Sequence, residues 1–290
     1  GAMTRQTERE QAAELNLMAA HRARRSAAYG SALGYLGAGI GLLTDASWQR
    51  RHAMSFELHL VCSECELLAG LTTQADPRLA ALLPRARTRV ERAAVYRLRV
   101  VMHVLCSDYA RAVAEAIACL ADFGIELVPH PSDAQRDAAY ADVLMRLGDR
   151  PIASLSELPR AVDRDVEAAM AVLSELFAPA CFTDERLAFV HLCHMVRLSL
   201  AHGITPGSAQ GFAWFGILLG RFYGRHDDGL PVHRLEALVA LAHGRHLGHH
   251  GQALRRGDGQ RAQLAALHHR ERTLRRGEHV VGLAAEQVGD

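Results

Sequence analysis

Cysteine and histidine side chains form the groupings in this chain that could do chemistry. Cys62 and Cys65 make one CxxC pair, and His243, His246 and His250 fall at positions i, i+3 and i+7. A thiol pair can exchange disulfides, and three imidazoles on one helical face suit Zn²⁺ or Ni²⁺. The CxxC has no second pair to complete a zinc site, and it falls in the middle of a helical pattern. We therefore expect structural cysteines, no catalytic residues and no cofactor, with the three histidines as weak metal-binding candidates.

Two further motifs contain residue types that are found in zinc-protease and phosphate-binding sites. His191 and His194 lie in the sequence HLCH, whereas a zinc-protease helix carries HExxH, so we expect a core or surface pair. The glycines between Gly34 and Gly41 lie inside a helical stripe, whereas a phosphate-binding loop follows a strand, so close helix packing is expected. All 33 basic residues are arginine, which excludes a P-loop lysine and a Schiff-base lysine.

The sequence predicts that these residues lie on helices. Segments 26–43 and 107–123 carry apolar side chains at i, i+3, i+4 and i+7, and their tyrosines, Tyr29 and Tyr109, are separated by two repeats of about 40 residues. The pattern predicts an all-α fold, a tetratricopeptide-like α-solenoid of antiparallel helix pairs interrupted near 128–133 and 149–162. Predicted helices are 5–22, 26–43, 47–69, 77–86, 88–105, 107–123, 134–148, 163–178, 183–202 and 207–223, with weaker ones at 230–243 and 260–275. Asp76 is expected to cap the start of helix 77–86, and Ser132 or Asp133 that of helix 134–148. Gly124 and Gly148 are expected at the ends of helices 107–123 and 134–148.

Composition fits such an array. Hydrophobic residues make up 49% of the 290 residues and aromatic residues 6%, and the net charge of +1 draws in neither nucleic acid nor membrane. We find no stretch of the roughly 20 apolar residues that a membrane span needs and no signal peptide. The six cysteines are scattered through apolar helical patterns, which predicts buried, reduced thiols and a cytoplasmic protein.

Several short runs of sequence can be compared with known helical-repeat proteins. They include SWQRRH (47–52), FEL (56–58), ECE (64–66), LAALLPRA (79–86), RAAVY (92–96), FGI (123–125), PHPS (129–132), GDRPI (148–152), LSELF (173–177), FTDE (182–185) and WFG (214–216). Together these runs resemble the helical-repeat region of large bacterial hybrid signalling proteins. Those proteins join a serine/threonine-kinase-like domain, an AAA-type ATPase, helical repeats, a GAF domain and a sensor histidine kinase. The resemblance covers roughly residues 5–228.

The resemblance implies a non-catalytic middle region that links an ATPase to an output kinase. The sequence itself predicts four segments: an expression-vector remnant (1–3), tetratricopeptide-like helix pairs (4–127), further helical pairs (128–228) and a His-, Arg- and Gly-rich C-terminal segment (229–290), weakly helical or partly disordered. In this last segment the likeness stops, either through divergence or through a shifted reading frame in GC-rich DNA.

The expected function is therefore a scaffold or sensor that binds a protein, a peptide or neighbouring domains of a longer parent chain. The first helices of the pairs, 5–22, 47–69 and 88–105, would line the binding groove. Its candidate contact residues are Arg51, His52, Glu57, Arg92, Tyr96 and Arg99. The main alternative is a small-molecule sensor with a pocket lined by Phe212, Trp214, Phe215 and Phe222. The second alternative is histidine-based metal binding.

Overall fold

The computed structural model describes residues 6–150 and 152–223, and within these ranges the chain is all-α. Its helices begin and end close to the predicted boundaries for most of the chain. The α-helices are α1 Gln6–Arg25, α2 Tyr29–Gly41, α3 Asp45–Arg50, α4 His52–Leu68, α5 Thr72–Leu82, α6 Arg89–Leu105, α7 Tyr109–Ala121, α8 Asp133–Leu147, α9 Arg164–Thr183, α10 Glu185–His202 and α11 Ser208–Tyr223. Short 3₁₀ helices lie at Leu83–Arg85 and Ile152–Glu157.

Successive helices pack on one another in a repeated order. Four pairs of sequence neighbours pack together: α1 with α2, α4 with α5, α6 with α7, and α9 with α10. The second helix of each of the first three pairs also packs on the first helix of the next pair, and the first helices pack in series, α1 on α4, α4 on α6 and α6 on α9. Below, α1, α4, α6 and α9 are called the first helices, and α2, α5, α7 and α10 the second helices.

Helix α9 lies at the centre of the largest core. Its Leu173 and Leu176 are fully buried in a cluster that includes Leu120 of α7 and Leu187 of α10. Among the described helices, α9 alone is long and apolar enough to pass for a membrane span, and half of that stretch is buried inside the protein. The sequence had indicated no such stretch. The packing of α9 on α6, α7 and α10 is that of a core helix.

Local capping explains where several helices start and stop. Ser132, one of the two residues predicted to cap α8, does so with a capping box, since its hydroxyl accepts from the Gln135 N–H and the Gln135 side chain accepts from the Ser132 N–H. Gly124 and Gly148 adopt positive φ angles of 70° and 54° just after helices, as predicted. The prediction that Asp76 caps a helix was wrong, because α5 already begins at Thr72.

Three further boundaries differ from the sequence prediction. Segment 47–69 is two helices, because the backbone breaks at Arg51 with φ −128° and ψ 48°. Helix α9 continues through Pro179 to Thr183, five residues past the predicted end. Segment 149–162 contains a 3₁₀ helix in the predicted loop. The predicted helices at 230–243 and 260–275, and the whole predicted segment 229–290, lie outside the described residues.

The glycines of α2 lie on two different faces. Gly34, Gly37 and Gly41 are exposed, and a Cβ atom built on each would meet no atom within 4 Å. The expectation of close packing was therefore wrong for these three. It was correct for Gly39, where a Cβ would lie 2.9 Å from Leu58 Cδ2 and 3.3 Å from Asn16 Cβ.

Replacing Gly37 and Gly39 by alanine is expected to change stability in opposite directions. Gly37→Ala should raise the free energy of unfolding by about 1 kcal/mol, because it adds helix propensity in open space. Gly39→Ala should lower it by about 1 kcal/mol, because overpacking against the fully buried Leu58 outweighs that gain. Urea denaturation followed by circular dichroism measures both, and changes of the same sign would contradict the packing described.

Candidate functional site: the face of the first helices

A chain of alternating charges crosses the first helices. Arg24 of α1 pairs with Glu64 of α4, which lies 4.0 Å from Arg97 of α6, and Arg97 lies 3.2 Å from Glu175 of α9. Each first helix contributes one residue, and all four side chains are between 18% and 35% exposed. We call these four residues the charge ladder. It links four helices that are far apart in sequence and marks the side of the protein on which they share a face.

Other pairs tie the same helices together. Between α1 and the α3–α4 region, Glu14 pairs with Arg51 at 2.7 Å and His21 with Glu57 at 2.9 Å. The His52 ring of α4 lies 3.1 Å from Glu91 of α6. Further along the same side, Arg89 of α6 pairs with Asp165 of α9.

Hydrogen bonds keep the carboxylates of two of these pairs charged. The bond with His21 lowers the pKa of Glu57. Burial opposes ionisation of Glu91, but the Arg87 backbone N–H and the His52 ring outweigh it, so the pKa of Glu91 is also lowered. Both carboxylates are therefore ionised acceptors at neutral pH.

The six predicted groove residues divide between two sides of the helices. Arg51, His52 and Glu57 lie in the pairs that join first helices, as described above. Arg92 and Arg99 instead reach α7 and its C-terminal end, since Arg92 lies 2.9 Å from Asp122 and Arg99 lies 2.5 Å from Glu115.

Tyr96 belongs to the second group. It packs against the core around α9, and burial raises the pKa of its hydroxyl. Of the three predicted positions on α6, none takes part in the pairs between first helices. Arg97, which does, was missed because a single arginine carries no sequence signal for a partner 33 or 78 residues away.

The aromatic residues of the predicted ligand pocket contact one another and the core. Trp214 lies 4.6 Å from the Phe177 ring, whereas Phe215 and Phe222 lie 5.5 and 5.3 Å from the Phe189 ring. Phe212 is buried in the same cluster as Phe189. These contacts divide the four residues between two core clusters and favour a structural role for each.

The cysteines are mostly buried, as expected. Burial raises the pKa of Cys62 to about 12 and that of Cys65 to about 11, so both are thiols at neutral pH. Cys106 contradicts the expectation, because it is exposed at the C-terminal end of α6. In residues 6–150 and 152–223, no three His, Cys, Asp or Glu side chains are grouped to hold a metal. The metal candidates His243, His246 and His250 lie outside the described residues.

The sequence left open a core or a surface position for His191 and His194, and the structure places His191 fully in the core and His194 partly buried beside it. Burial lowers the pKa of each to about 4, so both rings are neutral at pH 7. The Nδ1 atom of His191 lies 3.3 Å from the Leu187 carbonyl oxygen, and its Nε2 has no hydrogen-bond partner.

No protein-family model, curated protein or solved structure matches this chain. The likeness to the helical-repeat region of hybrid signalling proteins therefore stays a prediction, and the physical arrangement of the first helices is the basis for a functional proposal.

Proposed function

We propose that this chain is a non-catalytic helical-repeat scaffold that binds a protein segment on the face of its first helices. In this proposal the four pairs of first and second helices form a tetratricopeptide-like array. The order of packing supports it, because each first helix contacts its own second helix, and α1, α4 and α6 each contact the first helix that follows. Stacked pairs of this kind present an extended surface that suits partner recognition.

The charge ladder is the observation that carries the proposal. A binding surface made from four separate helices keeps its shape only if the helices are held in register. Ion pairs that run from Arg24 to Glu175 do this directly, since each joins two neighbouring first helices. Exposed single pairs contribute little, but a connected and partly buried series contributes more. The face is therefore preorganised, which reduces the entropy lost on binding.

The resemblance stated above supplies the context for this activity. In that context the partner is another protein, or a neighbouring domain of a longer parent chain, in bacterial signal transduction in the cytoplasm. The scaffold would hold domains in place and transmit their movements. It needs no cofactor and no membrane insertion.

Site-resolved photo-crosslinking tests the proposal. A photoreactive amino acid is placed at Glu14 or Glu57, which are exposed on the first helices, or at Tyr35, which is 45% exposed on α2. Each purified full-length variant is irradiated in lysate of the native host, and captured proteins are identified by mass spectrometry.

We expect both first-helix positions to capture the same protein or domain and Tyr35 to capture none of it. Capture of the same proteins at all three positions, or capture of none at Glu14 and Glu57, would overturn the proposed face. The variants remove Glu14 or Glu57 from its ion pair, so circular dichroism must show that their helical content is retained.

A further inference from the structure

Two arginines converge on one tryptophan at the edge of the first-helix face. The guanidinium carbon of Arg85 lies 4.4 Å from the centre of the Trp48 ring. The guanidinium of Arg87 donates to the Trp48 carbonyl oxygen at 3.4 Å. We call Trp48, Arg85 and Arg87 the arginine–tryptophan patch. It is continuous with the first-helix face, because the Trp48 ring lies 6.0 Å from the ring of His52.

The two patch arginines differ from most arginines around them in their charge pairing. Within residues 6–150 and 152–223, no carboxylate pairs with the guanidinium of either one. Glu91, the acid closest to them in sequence, is engaged by the Arg87 backbone N–H and by His52. The arginines of α1–α6 that do pair with carboxylates are Arg24, Arg50, Arg51, Arg78, Arg89, Arg92, Arg97 and Arg99.

Helix electrostatics account for Arg85 but not for Arg87 in the patch. Within the described part of the chain Arg9, Arg22 and Arg25 also pair with no carboxylate, but Arg9 donates to the Leu42 carbonyl oxygen, and Arg22 and Arg25 lie in the last turn of α1, where the helix dipole favours positive charge. Arg85 ends the 3₁₀ helix that follows α5, where positive charge is also favoured, whereas Arg87 lies just before the N-terminus of α6, where the dipole disfavours it. The positive charge near the patch also affects His59, whose ring lies 5.3 Å from that of Trp48. Burial, together with the charges of Arg78 and Arg85, lowers the pKa of His59 to about 4.

We propose that the arginine–tryptophan patch binds an acidic segment of the protein partner through its Asp or Glu side chains. This inference deepens the proposed function, because it names the chemistry of the partner that the first-helix face receives. Guanidinium groups bind carboxylates with two parallel hydrogen bonds, and two such groups side by side favour a segment with two or more acids. The indole ring supports the Arg85 guanidinium from one side and leaves its donor edges for the ligand.

Fluorescein-labelled hexaglutamate provides a direct test with the full chain. Binding is followed by fluorescence anisotropy at low ionic strength, where charge-assisted contacts are least screened. Two double variants are compared, R85A/R87A and R111A/R150A. Both remove two positive charges, and Arg111 and Arg150 are exposed arginines without an ion pair in the described chain. A hexathymidylate with the same label tests for nucleic acid as the ligand.

We expect saturable binding of hexaglutamate that weakens at least tenfold in R85A/R87A and changes less than twofold in R111A/R150A. Equal losses in both variants, no saturable binding, or tighter binding of hexathymidylate would overturn the inference. The crosslinking experiment separates this inference from the proposed function. Patch-dependent peptide binding without capture at Glu57 overturns only the first-helix face, and capture at Glu57 without patch-dependent peptide binding overturns only the patch.

Discussion

Replacing Arg78 by methionine is expected to lower the free energy of unfolding by about 3 kcal/mol. Arg78 of α5 donates three hydrogen bonds of 2.8–3.2 Å to the carboxylate of Glu66 on α4. The Glu66 side chain is only 3% exposed, whereas Arg78 is 26% exposed. Methionine would leave the carboxylate buried without its cation, and this unpaired charge is the source of the loss. The partial exposure of Arg78 puts the value at the lower end of the usual range.

The double variant E66M/R78M is the control for this prediction. It removes both charges, and a buried ion pair replaced by apolar groups of similar size is often nearly neutral in stability. We expect the double variant to recover most of the stability that Arg78→Met loses. Urea denaturation at pH 7, followed by circular dichroism, measures all three proteins. A double variant as unstable as the single one would show that packing between α4 and α5, and not the unpaired carboxylate, dominates.

Helices whose ends and apolar faces are marked by nearby residues were the most predictable part of this fold. The apolar stripes of α6 and α7 predicted both helices to within two residues at each end. Ser132, Gly124 and Gly148 were identifiable because their side chains or backbone conformations act within four residues. Information of this kind is present in a short window of sequence, and no distant contact is needed to interpret it.

Boundaries set by distant contacts could not be predicted. The segment around Arg51 contains neither glycine nor proline, so the sequence favours one continuous helix. The break separates α3 from α4, and around it Arg51 pairs with Glu14 of α1 and Arg85 packs over Trp48. At Pro179 the error was the opposite one, because the sequence predicted that the helix would end at residue 178 and α9 continues to Thr183. A proline usually ends a helix, yet α9 continues because Pro179 and Ala180 are buried in the core.

The functional face was predictable only in outline. The sequence predicted that first helices would line a binding groove, and three of its six chosen residues take part in pairs between first helices. The charge ladder itself could not be predicted from the sequence, because its paired residues are separated by 40, 33 and 78 positions. Any of the chain's 33 basic residues could pair with any of its 32 acidic ones, and only the packing of α1, α4, α6 and α9 selects among them.

Acidification is expected to destabilise the protein through its buried histidines. The folded-state pKa of His191 is about 4, below the ordinary value of 6.5. Between these two values the unfolded chain binds a proton that the native chain does not, so stability falls as the pH is lowered through this window. The loss from His191 should be about 1 kcal/mol between pH 7.5 and 5.5 and should reach about 3 kcal/mol by pH 4.

The variant His191→Leu isolates this contribution. Leucine cannot be protonated and suits the apolar surroundings of His191, so the variant should equal or exceed the wild-type stability as the pH falls, although it loses the contact with the Leu187 carbonyl. His202→Leu, at an exposed position on the same helix, is the matched control and should follow the wild type.

The measured quantity is the difference in unfolding free energy between each variant and the wild type, from urea denaturation at pH 7.5, 6.5 and 5.5. Carboxylates with lowered pKa values, such as those of Glu57, Glu91 and Asp184, also lose stabilising contacts on acidification, but they do so in every variant and cancel in the difference. A difference for His191→Leu that does not change with pH would mean that the native protein opens to protonate this ring. In that case the packing of α9 against α10 would be looser than the described contacts require.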